Sequence, residues 1–270
     1  MLLNKDSIRV AILRMEGTNC EEESFNSIYE SGASPEYVHI NELALRKKNI
    51  HDYQMLFIPG GFSGGDYVRA GAIFASMIKG PLLKEIVKFI EEGKVVLGVC
   101  NGFQVLVELG LLPGIDGLIS EKPQAVLAPN ISNKFECRWV YVKVEENNCK
   151  FMNFYKNGEI IQLPIAHAEG RFMFSKEKEN EYLNKMISSK QIVLRYVDKN
   201  GNYSGYPWNP NGSIHNIAGI CNGMGNVLGL MPHPERAFYK YQHPEYSING
   251  GKNYGKNLFR GIINYLEKNF

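Results

Sequence analysis

Short runs of apolar, β-branched residues alternate along the chain with stretches in which apolar positions recur every three or four residues. That alternation predicts a parallel sheet covered by helices. Ile8 to Leu13 reads as the first strand. Gly17-Thr18-Asn19 then supplies a turn and an N-cap, and Glu21, Glu22 and Glu23 fall in a first helical turn, where the helix dipole favours anions. Phe25, Ile28 and Tyr29 form that helix's apolar stripe, with Gly32 as its stop. Met55 to Ile58 is a second apolar strand ending abruptly in Pro59-Gly60-Gly61. Leu83, Ile86, Val87 and Ile90 mark an amphipathic helix closed by Gly93; Lys94 to Val99 follows as a strand and Phe103 to Leu109 as a helix. Further strands are expected at Ile192 to Val197, Ile217 to Cys221 and Val227 to Met231, and a last helix carries Phe259, Ile262, Ile263 and Leu266.

No repeat or low-complexity linker divides the chain, so residues 1–270 read as one α/β domain. Asn209 to Gly212 reads as a loop, and the polar stretch 175–191 as an exposed helix or excursion. Composition narrows the class. Thirty basic against twenty-eight acidic residues leave a net charge of +2, which gives no electrostatic case for nucleic acid. No apolar run approaches the ~20 residues of a membrane span. Met1 to Asp6 lacks a signal-peptide layout, and five cysteines without framework spacing argue for reduced thiols and a cytoplasmic setting.

Gly98-Val99-Cys100-Asn101-Gly102 sits where a buried strand should turn sharply into a helix. Such a turn projects the central side chain out of the sheet, and flanking glycines permit the backbone crowding. A helix N-terminus favours thiolate, and the following N–H is aimed where an oxyanion forms. The other cysteines, Cys20, Cys137, Cys149 and Cys221, lack that context and read as small buried hydrophobes; none shows paired zinc spacing, so no metal is expected. A thiolate needs a base and a group to orient it. Met231-Pro232-His233-Pro234-Glu235-Arg236 offers both, because in an extended chain His233 and Glu235 project to one face. Taken alone the hexapeptide reads equally as a surface loop. With Cys100 it makes a triad in the order Cys, His, Glu. Pro59-Gly60-Gly61-Phe62-Ser63 exposes backbone N–H groups at the same presumed sheet edge; they suit an oxyanion hole or a phosphate nest, although the P-loop lysine spacing is missing.

Gly98-x-Cys100-x-Gly102-x-Gln104 with the downstream His233-Pro234-Glu235 resembles the class I (triad) glutamine amidotransferases. Longer stretches are similar to one branch of them, the glutaminase subunits of phosphoribosylformylglycinamidine synthases: Gly17 to Cys20, Gly61 to Gly71, Cys100 to Gln104, Phe135 to Val140, Pro164 to Phe172, Asn209 to Ser213 and Ile217 to Asn222. Glu16 and Ala168 depart from the family's usual proline and glycine, and stretches near 175–191 and 239–253 look like insertions.

The resemblance implies a doubly wound, mostly parallel flavodoxin-like sheet. It implies Cys100 as nucleophile on the amide of glutamine, His233 as base and acid, and Glu235 as its orienter. Gly61 and Asn101 would supply the oxyanion-hole N–H groups, and Gln104 would line the substrate pocket. His167, Glu169 and Arg171 would serve an interface or support the site, or else lie in a solvated loop. No cofactor is implied in this chain. ATP and Mg would belong to a large synthetase subunit, accompanied by a small accessory subunit, that converts formylglycinamide ribonucleotide to the amidine in purine biosynthesis. A glutaminase serving another synthetase, a cysteine hydrolase on a related fold, and a subunit with a decayed site are the alternatives.

Overall fold

The computed structural model describes residues 8–270; the reading of Met1 to Asp6 lies outside them. The strands in chain order are β1 (Arg9–Arg14), β2 (Ser34–His39), β3 (Met55–Ile58), β4 (Val95–Val99), β5 (Val126–Pro129), β6 (Glu136–Val144), β7 (Ile160–His167), β8 (Glu169–Met173), β9 (Ile192–Val197), β10 (Ile217–Cys221) and β11 (Val227–Leu230). Nine of them form one sheet in the order β2-β1-β3-β4-β11-β10-β9-β6-β7, while β5 and β8 pair separately. The first five pair parallel and the rest antiparallel, so only β10 and β6 run against the common direction. The α/β class is the expected one, and it places the carboxyl ends of β1, β3, β4, β11 and β7 along one edge.

Burial explains which strands the pattern reveals. β3, β4 and β11 are buried at every position and read as unbroken apolar runs. β2 escapes the sequence reading because it is an edge strand in which only Val38 is fully buried, and such an edge accommodates Pro35. The first helix, Glu21–Glu30, starts after Cys20 rather than Asn19, and its inner face is Ser24, Ser27 and Ile28. Tyr29 is 48% exposed. Small residues bring this helix close, and the serine hydroxyls satisfy themselves on the carbonyls of Cys20 and Glu23 at 2.7 and 2.8 Å.

The helices at Leu83–Glu91 and Lys256–Asn269 bury the expected apolar positions Ile86, Ile90, Phe259, Ile262, Ile263 and Leu266. Stretch 175–191 holds a largely exposed helix, Glu179–Ser188, anchored by Met186. Stretch 239–253 forms a turn at Lys240–Gln242 and a short helix at Tyr246–Asn249. The Asn209 loop is buried rather than exposed, because Asn209 and Asn211 turn their amides inward onto Ser213.

The glycines around Cys100 are required by close approach. A Cβ on Gly102 would stand 1.9 Å from the Ile58 carbonyl oxygen, and one on Gly98 would stand 2.5 Å from that of Gly102. The helix therefore seats directly on β3 and β4. Gly102→Ala is expected to cost about 3 kcal/mol through backbone displacement, lowering Tm by roughly 6–12 °C. Gly80→Ala, where nothing lies within 4 Å, is the control and should leave Tm nearly unchanged.

Candidate active site

Cys100 follows β4 and caps the helix Asn101–Glu108 with φ 51° and ψ −105°, a conformation that costs free energy for a residue with a side chain. Its N–H donates to the Leu230 carbonyl at 2.8 Å, tying the turn to β11. The side chain is 5% exposed, and its thiol lies 3.6 Å from the Ala166 carbonyl oxygen at the end of β7. A strained turn held by neighbouring strands thus fixes where the sulfur sits.

His233 leaves the end of β11, and its N–H donates to the Pro164 carbonyl at 2.8 Å. Glu235 does not reach it through extended chain, as the spacing suggested, but through a tight turn at Pro234–Ala237. That turn folds the carboxylate back so that Oε1 accepts from His233 Nδ1 at 2.5 Å, with both residues 1% exposed. Nδ1 therefore carries a proton, and the buried ring also interacts with the Cys100 and Cys20 sulfurs. Burial alone would push the imidazole's pKa down. The Glu235 carboxylate outweighs it, with help from the Cys100 and Cys20 thiols, and the pKa is held well above the ordinary histidine value.

His233, Cys20 and Cys100 meet over Gly60. A Cβ there would lie 2.7 Å from His233 Cε1, 3.1 Å from Cys20 Sγ and 3.4 Å from Cys100 Cβ. Beside them opens a pocket of about 40 Å³ lined by Gly61, Phe62, Asp66, Ala70, Cys100, Gln104, Ala166, His167, Ala168 and Glu169. Much larger is a cavity of about 750 Å³ between residues 114–118 and the helix Glu179–Ser188, but it contains none of the groups at Cys100.

The N–H groups of Gly61 and Asn101 have no acceptor among the described residues. The Asn101 amide knits the pocket floor. Its Oδ1 accepts from Ser63 Oγ at 2.6 Å, and its Nδ2 donates to Gln104 Oε1 at 2.9 Å and to Asp66 Oδ1 at 3.4 Å. Gln104 Nε2 in turn donates to the Glu169 carbonyl at 2.5 Å. Asp66 and Glu169 bring two carboxylates to the same pocket, and burial followed by the Glu169 charge pushes the Asp66 pKa up to about 6.

Sequence reasoning missed several of these residues. Cys20 is buried as expected, yet its sulfur accepts from Arg236 Nη2 at 3.1 Å and lies against the His233 and Glu235 pair. The Gly17 to Cys20 stretch was the available signal; a separation of more than 200 residues hid the contact. The donor atoms of Cys20, His233 and Glu235 fall within 4.8 Å of one another. His233 Nδ1 and Glu235 Oε1 already bond each other at 2.5 Å, however, which leaves no space for a cation between them. His167 is 3% exposed and Glu169 lines the pocket, so neither belongs to a solvated loop. Ala168 is not among the residues with positive φ, and its methyl group is tolerated.

Residues 7–266 match the CobB/CobQ-like glutamine amidotransferase domain family. The phosphoribosylformylglycinamidine synthase subunit PurQ of Archaeoglobus fulgidus is 49% identical over 98% of this chain and 100% of its own length. The subunit of the same name from Picrophilus torridus is 52% identical over 96% of this chain and 99% of its own. Among solved structures, a chain of PurLQS from Thermotoga maritima superposes with a TM-score of 0.73 at 36% identity, covering 96% of this chain and 99% of that one. A strained cysteine between an oriented histidine and paired glycines thus stands on a scaffold matched over nearly its whole length, and the chain belongs to the CobB/CobQ-like glutamine amidotransferase family, within its PurQ group.

Proposed function

We propose that this chain hydrolyses glutamine at Cys100 and passes the ammonia to a synthetase subunit that converts formylglycinamide ribonucleotide to its amidine in the cytoplasm. The observation that carries the chemistry is the strained Cys100 set beside a His233 whose Nδ1 is held by the buried Glu235 carboxylate. His233 Nε2 takes the thiol proton, and the sulfur attacks the side-chain amide carbon. The Gly61 and Asn101 N–H groups hold the oxyanion. The imidazolium, stabilised by Glu235, gives its proton to the nitrogen as the C–N bond breaks, leaving ammonia and a glutamyl thioester. His233 then activates water, and glutamate leaves.

No step calls for a metal or cofactor in this chain; ATP and Mg are assigned to the synthetase, with a small accessory subunit completing the assembly. The reason for an assembly is chemical, since ammonia released into water is mostly protonated and no longer nucleophilic. Glutamate release from glutamine by the purified chain tests the reading. Low activity alone that rises sharply with the synthetase and its nucleotides supports it; strong activity indifferent to that partner keeps the chemistry and rejects the partner.

The α-ammonium group of glutamine finds its counter-charge in Asp66 and Glu169. Asp66, with its pKa near 6, must ionise to serve, so KM for glutamine is expected to rise as pH falls below about 6. Asp66→Asn should raise KM at neutral pH about tenfold, the worth of one charged hydrogen bond, and flatten that pH dependence. Steady-state kinetics from pH 5 to 8 on both proteins, at about one-unit steps around the Asp66 midpoint, make the comparison.

A further inference from the structure

His167 ends β7 one residue beyond Ala166, whose carbonyl faces the Cys100 sulfur. The Asn130 amide fixes its tautomer. Asn130 Nδ2 donates to the Lys134 and His167 carbonyls at 2.9 and 2.8 Å, so its Oδ1 faces the ring and can only accept, 3.1 Å from His167 Nδ1. The proton of His167 is therefore on Nδ1, and Nε2 keeps a lone pair. That nitrogen is buried and has no partner among the described residues. The ring packs against Gly170, where an added Cβ would come within 2.5 Å of Cε1.

A side chain with an unsatisfied acceptor thus lines the pocket that holds Cys100. Buried acceptors are rarely left without a donor, so the missing donor belongs to whatever fills the pocket. Burial, with the nearby His233 adding to it, pushes the His167 pKa down to about 3, and the ring stays neutral beside an imidazolium. The fitting ligand offers an N–H, and His167 has no proton to give in return.

We propose that His167 Nε2 accepts a hydrogen bond from the carboxamide N–H of bound glutamine and holds the ammonia on that bond once Cys100 has displaced it. The inference rests on the glutaminase reading above. As the C–S bond forms and the C–N bond breaks, the nitrogen takes its third hydrogen from His233. Ammonia then carries three N–H bonds, one of which stays on His167 Nε2, and no proton passes to or from His167. A neutral acceptor retains ammonia without converting it to ammonium, whereas a carboxylate in that position would favour the protonated, unreactive form.

The test compares two substrates on the full chain. Glutamine has a leaving group with N–H donors; the γ-methyl ester of glutamate has one without, and is attacked by the same thiol. His167→Asn reproduces the Nδ1 donor but not the Nε2 acceptor, whereas His167→Gln places an acceptor at the Nε2 reach. We expect His167→Asn to lose about tenfold in kcat/KM on glutamine, the worth of one neutral hydrogen bond, while the ester rate stays within about twofold. His167→Gln should recover most of the amide rate. Equal losses on both substrates in both variants would overturn the proposal in favour of a packing role, and so would an unchanged amide rate in His167→Asn. Failure of the glutaminase reading is separable, since it would appear as inactivity of the wild-type chain on amide and ester alike even with the synthetase and its nucleotides present.

Discussion

Replacing Cys100 by alanine should reduce glutamine hydrolysis by about 10⁴-fold or more, to the background of the uncatalysed amide, while the protein remains folded. The loss is that large because, among the described residues, the Cys100 sulfur is the nucleophile with a prepared trajectory. Its backbone sits at φ 51°, anchored by Leu230, and the Gly61 and Asn101 N–H groups have no acceptor among the described residues. Water entering the same pocket would have no comparable fixed approach. The strain is carried by the backbone and survives the substitution, so Tm should move by no more than about 3 °C. In the assembly proposed above, synthesis driven by added ammonium salt should continue, because that step bypasses the thioester. Glutamate release is measured by coupled assay and synthesis by amidine formation. Substantial glutamine-dependent turnover by Cys100→Ala would remove Cys100 from the mechanism.

Much of this site was legible in the sequence, for a physical reason. The residues that chemistry demands at a strand-to-helix turn are local: Gly98 and Gly102 are needed by backbone approaches of 2.5 and 1.9 Å, and both lie within two positions of the thiol. The central strands were equally plain, since full burial on both faces leaves an unbroken apolar run. What stayed hidden depends on approach in space rather than along the chain. Cys20 reaches His233 only because β1 and β11 end on one edge of the sheet. Asp66 and Glu169 meet across about a hundred residues, and nothing in either stretch announces the other. β2 was lost because an edge strand needs little hydrophobicity, and the Glu21–Glu30 helix was found but part of its inner face was not, because buried serines satisfy their own hydroxyls. The His233 and Glu235 pairing was anticipated for the wrong geometric reason, extended chain in place of a tight turn.

His233→Ala should cost on the order of 10⁴-fold in kcat, close to the loss from Cys100→Ala, and the double variant should be little worse than either. The equality follows from shared work. Without His233 the thiol proton has no acceptor, and without Cys100 the imidazole has no nucleophile to activate. Glu235→Gln separates orientation from proton transfer. The amide can offer its nitrogen to His233 Nδ1, reversing the tautomer so that Nε2 carries the proton and can no longer accept one. It also removes the carboxylate that holds the His233 pKa well above normal. Glu235→Gln is therefore expected to lose on the order of 10³-fold in kcat with little change in KM, and its activity should respond to pH differently from the wild type. The sign of the pH response follows from the charge. A histidine pKa held up in the native protein contributes stability at low pH that disappears as pH rises through it, so the wild type's advantage in Tm over Glu235→Gln should shrink toward alkaline pH. Tm measured across that range, beside kcat on the same samples, decides whether Glu235 acts on the imidazole as described. An unchanged kcat in Glu235→Gln would mean that the 2.5 Å contact with His233 holds the loop and plays no part in the reaction.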